Sequence, residues 1–136
     1  MTNIIRASVA EANALYKAAD YSGRAGPNDT LLGIRQDQLI SVARMMDYDD
    51  CYLVRHVCTL PEHRGKGLGS ELCRALMLST DKPLYLFPLP KLIRFYQRIG
   101  FSFCSESELP SSLMSVWKQS KKNIPQSQPM RAHNDG

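Results

Sequence analysis

The run Arg64-Gly65-Lys66-Gly67-Leu68-Gly69 sets three alternating glycines among two cations, a combination suited to holding an anion. Glycine reaches φ > 0 and brings no side chain, so such a loop can turn successive main-chain N–H groups toward phosphate oxygens. A helix opening directly after it adds roughly +0.5 elementary charge at the same place. The spacing is neither the Gly-x-x-x-x-Gly-Lys-Ser/Thr of a P-loop nor the Gly-x-Gly-x-x-Gly of a dinucleotide fold. The other reactive side chains are scattered. Cys51, Cys58, Cys73 and Cys104 include no Cys-x-x-Cys pair, and His56, His63 and His133 lack zinc-ligand spacing. Buried free thiols and no metal are therefore expected. His56 and Cys58 lie two apart on one strand, which separates their side chains by roughly 7 Å. That distance excludes a Cys–His nucleophile pair unless a bulge intervenes.

A strand must deliver the glycine run and a helix must leave it. Residues 52–59, Tyr-Leu-Val-Arg-His-Val-Cys-Thr, read as that strand, closed by Pro61-Glu62-His63. Unbroken alternation puts Leu53, Arg55, Val57 and Thr59 on one side, with Tyr52, Val54, His56 and Cys58 on the other. The helix is expected over 70–79, with Leu68, Leu72, Ala75 and Leu76 as the stripe facing a sheet. Leu84-Tyr85-Leu86-Phe87 reads as a short buried strand that Pro88 stops, because proline donates no ladder hydrogen bond. A second helix over 91–99 carries Leu92, Phe95, Tyr96 and Ile99 at i, i+3, i+4, i+7. Gly100 ends it, and Phe101 resumes an extended path.

Upstream, Ile4-Ile5-Arg6 reads as a first strand, and Ser8 caps a helix over 9–19 with Glu11 closing a capping box. A breaker-rich loop over 21–29 precedes strands near 30–34 and 39–46 and a polar turn at 47–50. Downstream, a turn or short helix spans 109–117, a last strand lies near 128–131, and His133 to Gly136 are expected to fray. No repeat or boundary divides the chain, so residues 1–136 read as one domain of mixed α/β (α+β) class. With 43% hydrophobic residues and no apolar run near the roughly 20 that span a bilayer, no membrane partner is expected. The N-terminus lacks a signal-peptide pattern, and the expected compartment is the cytoplasm. The net charge of +4 suits an anionic cofactor. Arg and Lys form no long run and no aromatic–basic stripe, so no nucleic acid partner is expected.

The context of the glycines is more specific than the glycines themselves. Val57-Cys58-Thr59-Leu60-Pro61-Glu62-His63-Arg64-Gly65-Lys66-Gly67-Leu68-Gly69 resembles the acyl-CoA signature of the GNAT N-acetyltransferase superfamily. That signature is an apolar strand, x-Pro-x-x, then Arg/Gln-x-x-Gly-x-Gly/Ala opening a helix. Phe95-Tyr96-Gln97-Arg98-Ile99-Gly100-Phe101 looks like the Phe-Tyr-x-x-x-Gly-Phe segment that ends a later helix in the same family. The resemblance covers roughly residues 51–101, with both motifs in the expected order.

It implies the GNAT fold: a central mixed, mostly antiparallel sheet, splayed between its fourth and fifth strands and flanked by helices. It implies acetyl-CoA as acetyl donor and an amine acceptor, a small molecule or a peptide, in a monomer or homodimer. By the same resemblance, Val57, Cys58 and Thr59 pair through their main chain with the pantetheine arm. Arg64, Gly65, Lys66, Gly67, Leu68, Gly69 and Ser70 hold the pyrophosphate, Pro88 marks the splay, and Tyr96 protonates the departing thiolate. His56, beside the acetyl-binding segment, is the expected base because its ordinary pKa is about 6.5; Asp47, Asp49, Asp50 and Glu62 are weaker candidates, and a water chain is the other route. Leu89 and Leu92 stand where many members carry Asn and Ala, so a side-chain amide contact to the cofactor arm is missing or replaced. The alternative is a catalytically silent acyl-CoA-binding regulatory module. Acceptor choice falls to residues 21–29, 47–50 and those after Leu109.

Overall fold

The computed structural model describes residues 3–132; the expected fraying of His133 to Gly136 lies outside the described residues. Seven strands form one sheet in the order β1-β2-β3-β4-β5-β7-β6. They are β1 (Ile4–Arg6), β2 (Thr30–Arg35), β3 (Leu39–Asp47), β4 (Tyr52–Thr59), β5 (Leu84–Leu86), β6 (Phe101–Phe103) and β7 (Met130–Ala132). Every neighbouring pair is antiparallel except β4 and β5, which run parallel. The helices are α1 (Val9–Ala18), α2 (Leu68–Leu78), α3 (Ile93–Ile99) and α4 (Met114–Asn123). A parallel pair needs a crossover, and α2 supplies it between β4 and β5. This is the mixed, mostly antiparallel and helix-flanked sheet that the resemblance implies.

Local chemistry sets most element ends. Ser8 accepts from the Glu11 N–H while the Glu11 carboxylate accepts from the Ser8 N–H, so α1 starts from a complete capping box. Gly67, at φ +77°, caps α2, which therefore opens at Leu68, two residues before the expected start. The buried face of α2 is Leu68, Leu72, Cys73 and Leu76; Cys73 takes the place expected for Ala75, which is only half-buried. The segment expected to end at Trp117 continues as α4 to Asn123. It buries Trp117 against Phe87, with ring centroids 5.0 Å apart.

The β4 strand departs from simple alternation. Val42 on β3 pairs with Cys58, and Arg44 pairs with Arg55, so a two-residue step on β3 faces a three-residue step on β4. The extra residue is a β-bulge, and His56 within it sits at φ +53°. Arg55 and Cys58 consequently share a face of the strand. The expected grouping of Arg55 with Val57 and Thr59 fails, because a bulge resets the phase of every residue after it.

The bulge also changes which main-chain groups face β5. The Tyr52 N–H donates to Pro83 O at 2.9 Å on the β5 side, whereas the Leu60 N–H donates to Ile40 O at 2.8 Å on the β3 side. Counting back from Leu60 along the ladder, Cys58 faces β3, and Val57 and Thr59 turn their N–H and C=O toward the β5 side. Only Tyr52 and Leu53 pair with β5, opposite Leu84 and Tyr85. Beyond them β5 ends at Leu86, Pro88 follows, and the two strands part.

Candidate active site

Where β4 and β5 separate lies a cavity of about 400 Å³. One wall is β4, through Val57 and Thr59; a second is the glycine turn and the start of α2, through His63, Arg64, Gly65, Gly67, Leu68 and Gly69; the third is Leu92, Phe95 and Tyr96. Of the residues singled out by the sequence, Val57, Thr59, Arg64, Gly65, Gly67, Leu68, Gly69 and Tyr96 meet here. Cys58, Lys66, Ser70 and His56 do not line the cavity. Cys58 is buried and paired toward β3. The Lys66 ammonium stands 3.5 Å from His63 Nδ1. His63, Leu92 and Phe95 belong to the wall without having been singled out for it, although Leu92 and Phe95 lie on the apolar stripe read for the second helix. Half of that stripe, Tyr96 and Ile99, is buried, while Leu92 keeps 37% of its surface exposed at the mouth.

The glycine-turn end of the cavity is built largely from backbone. Gly65 and Gly67 both adopt left-handed φ, +82° and +77°, and a Cβ on either would meet nothing within 4 Å. Conformation, not crowding, therefore asks for glycine at these two positions. At Gly69 a Cβ would make ordinary contacts, 3.4 Å from Phe95 Cζ and 3.5 Å from Val57 Cγ1, so that only a longer side chain would have to extend between the two cavity walls. The first N–H groups of α2 have no acceptor within the helix, so they are available to an anion. Arg64 ties the turn to the strand, its Nε donating to Thr59 O at 3.0 Å.

Tyr96 is 8% exposed and packs edge-on against Phe95 and Phe101. Burial, with smaller contributions from Cys73 and Tyr21, holds its hydroxyl well above the ordinary tyrosine range. Cys73 is itself pushed up to about 12 by burial. Both groups stay protonated at neutral pH, and Tyr96 is a donor.

His56 stands in a different set. Its Nδ1 lies 3.0 Å from Arg44 Nη1, so this nitrogen accepts and Nε2 carries the proton. Arg44 is neutralised by Asp29 at 2.5 Å. The imidazole packs edge-on to Tyr16 and Tyr21, with centroids 6.0 and 5.9 Å away. Burial first, then Arg55 and Arg44, lower its pKa to about 4, with Asp29 opposing.

A histidine lowered on folding is protonated by the unfolded chain first. Its contribution is complete above about pH 6.5 and is lost as pH falls toward about 4. His56→Asn, a residue that tolerates positive φ, should remove this slope. The difference in Tm between wild type and variant should shrink or reverse from pH 6.5 to 4; curves that stay parallel would show that His56 titrates as it does in solution.

Residues 27–103 match the family model described as an acetyltransferase (GNAT) domain, more than half of the chain. The chain belongs to the GNAT acetyltransferase family. Protein ElaA of Escherichia coli is 33% identical over 101 residues, a match covering 68% of this chain and 66% of that protein, just under two thirds of its length. The crystal structure of E. coli ElaA superposes with a TM-score of 0.64 at 19% identity, over 98% of this chain and all of that one. N-acetylglutamate synthase from Neisseria gonorrhoeae, solved with coenzyme A and N-acetyl-glutamate, gives a TM-score of 0.75 at 17% identity, over 98% of this chain and 35% of that one. These structures share the fold.

Among the described residues no group of three or more His, Cys, Asp or Glu side chains is placed to hold a metal ion. No helix among them is long and apolar enough to cross a membrane.

Proposed function

We propose that this member of the family transfers the acetyl group of acetyl-CoA to a primary amine, on a small molecule or a peptide. The observation that carries the reading is the cavity between the parting strands, with unpaired strand edge on one side and the glycine turn at its end. The residues present fit the donor. Val57 and Thr59 offer main-chain groups to a pantetheine arm as an added strand would, and Gly65 to Ser70 offer N–H groups and a helix N-terminus to a pyrophosphate. Leu92 and Phe95 give the arm apolar cover where an amide side chain is absent. Cys58 and Lys66 take supporting roles, one in the ladder to β3 and the other as a cation beside the turn. Four free cysteines fit a reducing compartment such as the cytoplasm.

Acetyl-CoA supplies a thioester whose carbonyl carbon can accept an amine. Val57 N–H would donate to the carbonyl oxygen as negative charge builds on it. Tyr96, protonated by burial, would donate a hydrogen bond to the sulfur as it leaves. An alkyl ammonium of pKa about 10.4 must shed a proton before attack. His56 is poorly suited to take it: one ring nitrogen is held by Arg44, the other bears a proton, and its pKa is about 4. We assign proton removal to water at the mouth of the cavity.

The test is titration calorimetry with acetyl-CoA, followed by assay of free CoA release over a panel of amines. Saturable binding and release with some amines are expected. Binding without release from any amine would leave the silent regulatory module. Absence of binding would overturn both readings.

A further inference from the structure

The bulge in β4 is strained and heavily tied. A non-glycine residue at φ +53° persists only where its surroundings over-determine it. His56 has three such ties. Arg44 holds its ring nitrogen, Tyr16 and Tyr21 pack its ring, and the Tyr16 hydroxyl donates to its carbonyl oxygen at 2.7 Å. Gly23 leaves room for this packing, since a Cβ there would stand 2.7 Å from both His56 Cγ and Tyr21 Cε1. Tyr16 itself is 1% exposed and reaches β4 from α1, forty positions away in sequence.

The carbonyl that Tyr16 holds belongs to one particular amide. The peptide joining His56 to Val57 presents its C=O to Tyr16 and its N–H, that of Val57, to the β5 side where the cavity lies. A hydrogen bond accepted at the oxygen of an amide polarises the group and strengthens donation from its nitrogen. It also fixes the plane of the peptide, and so the direction of the N–H.

We infer that Tyr16 is a positioning residue for acyl transfer, orienting and polarising the His56–Val57 peptide so that Val57 N–H is a strong donor to the thioester carbonyl. The inference rests on the acetyl-CoA reading above. Burial keeps the Tyr16 hydroxyl protonated, as this role requires. Tyr16 never touches the reacting atoms; it acts through the amide.

The decisive readout is the carbonyl stretch of bound acetyl-CoA labelled with carbon-13 at the acetyl carbonyl, by isotope-edited infrared difference spectroscopy. In wild type the band should lie below its position in free acetyl-CoA, because a hydrogen-bonded carbonyl is weakened. Tyr16→Phe should move it back toward the free value and lower turnover about tenfold, less than the 10²–10³ lost when an oxyanion donor is removed outright. The dissociation constant of acetyl-CoA should change by less than about threefold, since the glycine turn is untouched.

A band shifted in wild type and unchanged in Tyr16→Phe would overturn the inference while leaving acetyl-CoA binding in place. Failure of wild type to bind acetyl-CoA would overturn the underlying reading, and the inference with it. Should Tyr16→Phe fold poorly, 3-fluorotyrosine at position 16 gives the opposite displacement: a more acidic hydroxyl should lower the band further. No movement there would equally overturn the inference.

Discussion

Gly69→Glu should abolish measurable acetyl-CoA binding, raising the dissociation constant at least a hundredfold, with the sheet intact by circular dichroism. A side chain at this position starts 3.4 Å from Phe95 and 3.5 Å from Val57, so it must grow into the cavity. Glutamate adds a negative charge where the N-terminus of α2 would otherwise meet phosphate. A hundredfold loss is about 2.8 kcal/mol, twice the ~1.4 of a tenfold change. Steric exclusion and charge repulsion together reach that easily.

Gly67→Glu reaches a similar end by another route. Open space surrounds the position, but φ of +77° costs a non-glycine residue roughly 1–2 kcal/mol. The turn should then relax and misdirect its N–H groups. Gly69→Ala is the control. Its methyl meets ordinary contacts, and the dissociation constant should rise by a few-fold only. Tight binding by both glutamate variants would remove the pyrophosphate from this turn.

The parts of this architecture written locally in the chain could be read from it. Ser8 and Glu11 form their box within one helical turn, and the glycines declare their turn without help from other segments. The β4 strand was legible from Tyr52 to Thr59 because its β-branched and aromatic residues end at Pro61. The bulge was not legible. Nothing near His56 marks it; its cause is Tyr16 from α1 and Arg44 from β3, partners that only the folded chain brings together. An unbroken strand would set Arg55 beside Val57; the bulge sets it beside Cys58, whose pairing toward β3 keeps it from the cavity that Val57 and Thr59 line.

The same limit applies to α4. Beyond Trp117 its residues are Lys118, Gln119, Ser120, Lys121, Lys122 and Asn123, which carry no apolar stripe, so its last turns leave no periodic signal. The cavity explains why the stripe running from Leu92, just before α3, through Ile99 is only half-covered. Leu92 and Phe95 read as core by spacing, yet they face space that a ligand rather than a neighbouring helix can fill.

Tyr96→Phe should lower turnover about 10²-fold, at the lower end of what a positioned general acid contributes. Acetyl-CoA affinity should change by less than about threefold, because the ring and its packing on Phe95 and Phe101 remain. The size of the effect follows from what the hydroxyl can do. A thiol of pKa about 8.5 leaves as an anion, and a tyrosine near 10 would yield its proton only uphill. Burial raises Tyr96 further, so complete transfer becomes harder while the hydroxyl stays protonated at every working pH. In the proposed mechanism its contribution would be a hydrogen bond that strengthens as charge builds on sulfur. Two consequences separate this role from simple packing. The rate in wild type should climb with pH as the amine loses its proton, with no decline between pH 8 and 10, since Tyr96 does not ionise there. A donor built on the same pantetheine arm but with a more acidic thiol needs less help to depart, so the deficit of Tyr96→Phe should shrink with it. A deficit that stays constant across donors would assign Tyr96 to shaping the cavity wall and leave thiolate departure to solvent.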